Sequence, residues 1–174
     1  METKRMNVEF VLQVIEEEVW KELSGHFRWT ETLLEKFQNE VDWRLVSNNE
    51  NILWTVPMLE RFKERINWYI LSDSKNETVF TPDNLERYKD YWDWTNLSDC
   101  RQLNFSYEII DKFVDRWDWS KLANNYHVKE CIPFGEKFLA RYSAYIPVSA
   151  LYDSFLWNSI VEERKEKLIS AILR

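Results

Sequence analysis

The chain has 174 residues, with 23 basic and 30 acidic side chains (net −7), two glycines, four prolines and ten tryptophans. That length suffices for one domain with a substantial core, and so little Gly and Pro predicts helices over turn-rich β structure. Two isolated glycines exclude a phosphate-cradling Gly-rich loop, the acidity opposes nucleic-acid binding, and no stretch reaches the ~18 apolar residues of a membrane span.

Residues 6–26 read as a degenerate first repeat. Met6 opens it, and Phe10, Val11, Val14 and Trp20 take the places that Leu33, Leu34, Phe37 and Trp43 hold in the next block. The apolar run Val8–Ile15 follows Lys4 and Arg5, but Glu9 and Gln13 interrupt it and no small-residue cleavage site follows, so it predicts a helix and not a leader. Gly25 is the expected stop.

Repeats 27–53, 54–79, 80–104 and 105–131 share one grammar. Each opens on an aromatic and a hydroxyl (Trp29-Thr30, Trp54-Thr55, Phe80-Thr81, Phe105-Ser106) and continues with apolar residues three and four apart. Each then reaches Asp42-Trp43, Asn67-Trp68, Asp93-Trp94 or Asp118-Trp119, and all but the last close on Ser47, Ser72 or Ser98. The hydroxyls predict N-caps of a helix of roughly ten residues, and the Asp/Asn column predicts N-caps of a short second helix. Trp29 is placed to pack on Leu34 as a hydrophobic staple. Trp94, in a central repeat, is expected to be core, so that Trp94→Ala costs ~3–5 kcal/mol.

The anchors Trp20, Trp43, Trp68, Trp94, Trp119 and Val148 lie 23, 25, 26, 25 and 29 residues apart. A near-fixed period of this size is the signature of stacked repeats. The longer last interval predicts an irregular loop at 124–131. A degenerate repeat follows at 132–151, with Pro147-Val148 in place of Asp-Trp, and an amphipathic capping helix over about 149–174 whose charged middle, Glu162 to Lys167, faces solvent. The expectation is one all-α domain over 1–174, a solenoid-like stack of about six ~25-residue helix-pair repeats closed by that capping helix.

The tandem pattern, clearest from Trp29-Thr30 to Ser47 and from Leu85-Glu86-Arg87-Tyr88 to Ser98, resembles Trp-rich repeat arrays of uncharacterised bacterial proteins, with looser parallels in giant-virus proteins. The resemblance covers about 27–123. It implies a repeat fold and carries over no functional residue.

Residues that recur in register read as structure. The Asp column, the Thr/Ser column and Ser24, Ser47, Ser72 and Ser98 recur, so none stands out as a catalytic acid or nucleophile. Cys100 and Cys131 with His26 and His127 lack metal-site spacing, and reduced thiols in a cytoplasmic protein without a cofactor are expected. Sequons occur at Asn76, Asn96 and Asn104. Repeat breakers carry more information. Tyr69, Tyr91 and Tyr107 stand in polar or mixed columns and Tyr126 in the 124–131 loop, which predicts partly exposed tyrosines suited to recognition. The function expected is a non-catalytic protein-interaction module, of the small acidic inhibitor or immunity type. The alternatives are a nucleic-acid-binding helical repeat, which the acidic blocks oppose, and a hydrolase with a site near His127.

Overall fold

Short helices begin wherever the sequence supplies an oxygen to accept the free N–H groups of a first turn. In the computed structural model, which describes residues 7–173, every regular element among the described residues is helical: thirteen α-helices and one 3-10 turn, with no strand. Met6 lies outside the described residues. The chain divides between Val79 and Phe80 into two compact units.

The first unit holds α1 (Val8–His26), α2 (Glu31–Lys36), α3 (Trp43–Ser47), α4 (Val56–Phe62), α5 (Trp68–Ser72) and the 3-10 turn Glu77–Val79. The Thr30 and Thr55 hydroxyls accept from the Leu33 and Met58 N–H groups. Asp42 accepts from Arg44 and Leu45, and Asn67 from Ile70. Helices of five to seven residues are not stable alone in water; burial of Leu34, Val46, Leu59 and Leu71 holds them. Helix α3 contacts α1 on one side and α5 on the other.

The second unit holds α6 (Pro82–Arg87), α7 (Trp94–Leu97), α8 (Tyr107–Lys112), α9 (Trp119–Ala123), α10 (Tyr126–Cys131), α11 (Glu136–Tyr142), α12 (Val148–Leu151) and α13 (Phe155–Ile172). Thr81 and Ser106 cap α6 and α8, and Asp93 and Asp118 cap α7 and α9. Helix α9 contacts α12, and α13 packs on α10 and α11.

Each indole of the Asp/Asn-Trp pairs donates to a carbonyl five residues back: Trp43 to Gln38, Trp68 to Lys63, Trp94 to Lys89 and Trp119 to Val114, at 2.8–3.0 Å. The bond satisfies an acceptor in the turn after the first helix, where the helical ladder has ended. Arg65 reaches back to the Gln38 carbonyl and Asn39, and Arg116 makes the same pair of bonds to the Lys89 carbonyl and Asp90.

Several expectations are corrected. The first block is one 19-residue helix that continues through Gly25 to His26, and Phe10 and Val14 are exposed instead of occupying core positions. The first helices of the repeats span six or seven residues, not ten, because their last turn tightens into bonds such as Glu40 N–H to the Phe37 carbonyl. The 124–131 loop contains α10, capped by Asn125, which accepts from His127 and Val128. The C-terminal helix is interrupted: α12 ends at Leu151, Asp153 takes a left-handed conformation (φ 60°), and Ser154 caps a new helix. The charged middle of α13 is exposed as expected except at Glu163, which is half-buried. Glu163 accepts from the Glu136 N–H at 2.8 Å, and Lys167 and Arg164 pair with Glu136. Glu163 thereby caps α11, whose first turn begins at Gly135 without a capping side chain. Trp94 is half-buried, its ring 4.9 Å from those of Phe113 and Trp117; Phe113 and Trp117, each 5% exposed, are the buried members of that cluster.

Candidate recognition surface

The recurring serines are fully buried and hydrogen-bonded. Ser24, Ser47, Ser72 and Ser98 donate to the carbonyls of Trp20, Trp43, Trp68 and Trp94, four residues earlier. The same oxygens of Ser24, Ser47 and Ser98 accept, at 2.9 Å, from the N–H of Asp42, Asn67 and Asp118 in the following repeat. A hydroxyl is the smallest group that can donate one way and accept the other. Sequence reasoning missed the partner set. Asn49 donates its amide to the Ser24 and Phe27 carbonyls, Asn76 to those of Asn49 and Ile52, and Asn125 to those of Ser98 and Cys100. All three are buried. These serines and asparagines are cross-ties between successive loops.

The four candidate tyrosines separate. Tyr69 on α5 is 64% exposed and Tyr126 at the start of α10 is 53% exposed; Tyr91 is 38% exposed. Tyr107 is half-buried, stacked on Tyr142 at 6.5 Å with the Arg141 guanidinium 5.4 Å from its ring. Arg141 in turn pairs with Asp111, which also accepts from the Tyr142 hydroxyl at 2.8 Å. The Arg141 hydrogen bond holds the Asp111 carboxyl below its ordinary value, with that of Tyr142 adding to the effect. Burial, then the Asp111 carboxylate, pushes the Tyr142 phenol up. Tyr107 belongs to this packed cluster. Tyr126 meets Phe155 edge-on at 5.4 Å and has the Lys129 ammonium 5.9 Å from its ring.

In the first unit a cleft of about 780 Å³ runs beside α1. Its lining carries Val14, Ile15, Val19 and Leu45 as apolar members and Glu18, Glu22 and Glu50 as acids. A second cleft, of about 490 Å³, shares Lys21, Leu45 and Asn48 with the first and reaches Tyr69 and Ile70. Tyr69 is thereby set at one end of a surface laid across the outer sides of α1, α3 and α5.

Helix α10 brings His127 and Cys131 together, with Nε2 and Sγ 3.6 Å apart and Glu130 3.6 Å from Nδ1. The four-residue spacing puts both side chains on one helical face. Among the described residues no group of three or more His, Cys, Asp or Glu side chains is arranged to hold a metal ion, and no helix is long and apolar enough to cross a membrane. Comparison with protein families, curated proteins and solved structures gives no match.

Proposed function

We propose that the chain is a non-catalytic protein-recognition module, a solenoid-like stack of about six helix-pair repeats acting as a small acidic inhibitor or immunity-type protein. The observation that carries this reading is the exposure of Tyr69, Tyr91 and Tyr126, three aromatic side chains outside the packed repeat positions. Tyrosine is enriched where surfaces recognise proteins. The recurring serines and Asp/Asn residues, otherwise the natural candidates for chemistry, are taken up in caps and cross-ties. Kinship with Trp-rich bacterial repeat arrays and a cytoplasmic setting, suited to the thiols Cys100 and Cys131, which are not joined in a disulfide, belong to the same reading.

Affinity capture from host lysate, with and without nuclease, tests it. The expected result is one protein retained in both samples and lost with Tyr69→Ala/Tyr91→Ala/Tyr126→Ala. Retention that disappears with nuclease would replace this reading with the nucleic-acid one. A thiol hydrolase on α10 has the Cys131–His127 contact in its favour; ester turnover abolished by Cys131→Ser would establish it instead.

A further inference from the structure

We infer that α1 is a docking helix for a cationic amphipathic helix of a partner protein, received along the cleft between α1 and α3. The inference rests on the protein-recognition reading and names the surface and the chemistry of the partner.

From residue 7 to residue 19 every position of the α1 segment is exposed except Val11, which is half-buried. The fixed points lie at the other end, where Trp20 meets Phe37 at 5.6 Å and Ser24 bonds Asp42. Three turns of helix therefore project, although an isolated helix this short is marginal in water. Their exposed side chains are not those of a solvated helix. Val8, Leu12, Ile15 and Val19, each 47–63% exposed, fall at i, i+4, i+7 and i+11 and form one continuous stripe. An uncovered stripe of this kind marks an interaction surface.

Charge decides what covers it. At 100° per residue Glu9 and Glu16 flank the stripe on one side and Glu18 and Glu22 on the other. With Glu17, the helix carries five glutamates against Lys21. The adjoining cleft adds Glu50. A second copy laid stripe to stripe would bring glutamates against glutamates. Anionic lipid and nucleic acid meet the same repulsion. A helix with apolar residues at i, i+3/i+4 and i+7 and Lys or Arg beside them satisfies both stripe and flanks. The stripe spans about 17 Å, so some three turns of partner cover it.

The probe is a labelled peptide of about 18 residues, Leu and Lys patterned at the helical period, titrated into the full chain by fluorescence anisotropy. Binding should weaken at least about tenfold in Leu12→Ser/Ile15→Ser and likewise in Glu16→Gln/Glu18→Gln/Glu22→Gln. The second variant keeps the stripe and relieves charge repulsion, so it guards against loss of helix in the first. Asp99→Asn/Asp115→Asn/Glu166→Gln, which removes three exposed acids from the other unit, should bind as wild type. Equal binding by the serine variant, or by a Leu/Glu peptide of the same pattern, overturns the inference. So does a wild-type dimer in sedimentation that Leu12→Ser/Ile15→Ser dissociates, which would make the occupant a second copy. Tyrosine-dependent capture from lysate without peptide binding at α1 sinks this inference and leaves the recognition reading standing. Peptide binding at α1 with tyrosine-independent capture supports it and removes the tyrosines from the surface.

Discussion

A single carboxamide shows how narrowly some positions are determined. Asn125 donates to two carbonyls from one nitrogen and accepts with its oxygen from the His127 and Val128 N–H groups. Asn125→Asp keeps the acceptor and loses the donor, turning a carboxylate oxygen toward the Ser98 and Cys100 carbonyls. The expected cost is ~3 kcal/mol or more, as for a buried polar group without its bonds, read by urea denaturation. Asp111 is a milder case. Its carboxyl is held below its ordinary value of 3.8, first by Arg141, so the stabilisation it gives is present above that value and fades as pH falls through the depressed one. Wild type and Asp111→Asn should differ in denaturant midpoint at neutral pH and converge in acid below 3.8. A difference independent of pH would show that the carboxylate charge contributes nothing and that the substitution acts through packing alone.

At the level of elements, what could be read in advance was what is local. Capping depends on a residue and the next three, so Thr30, Asp42, Asn67 and Thr81 announced their helices. The asparagine cross-ties were hidden because their register shifts. Asn49 and Asn125 stand two residues after the Ser47 and Ala123 positions, while Asn76 stands four after Ser72, with Ser74 in between and Cys100 at the matching place in the fourth repeat. The exposure of α1 was hidden for another reason: periodicity reveals an apolar face but not whether a neighbour covers it. Of the candidate surface, Tyr69 was legible as a repeat breaker; the cleft it borders needs α1, α3 and α5 side by side. The break before α13 is testable here. Asp153 sits at φ 60°, where a Cβ costs about 1–2 kcal/mol and branching costs more. Asp153→Gly should therefore be neutral or raise Tm, and Asp153→Val should lower it. A lower Tm for the glycine variant would show that the aspartate side chain itself holds the break.

Across the molecule the acidic balance governs encounter. A net charge of −7 repels polyanions and speeds association with basic proteins, both effects weakening as salt shortens the screening length. Labelled single-stranded RNA and duplex DNA should show no anisotropy change with the protein at ~0.15 M salt. A salt-sensitive rise would revive the nucleic-acid reading. If the proposed recognition of a basic protein holds, its association should slow as ionic strength increases, with the dissociation rate little changed.

The Asn76 cross-tie reaches into how the protein can be made. Asn76-Glu77-Thr78 is a glycosylation sequon, and the nitrogen that would receive the sugar is the one that donates to the Asn49 and Ile52 carbonyls from a site 3% exposed. In a eukaryotic secretory host, oligosaccharide and native packing compete for one atom. A chain glycosylated there before folding cannot close its first unit, whereas Thr78→Ala removes the acceptor signal and keeps the amide nitrogen for tying the loops, at the cost of the 2.6 Å bond that the Thr78 hydroxyl donates to the Asn76 Oδ1.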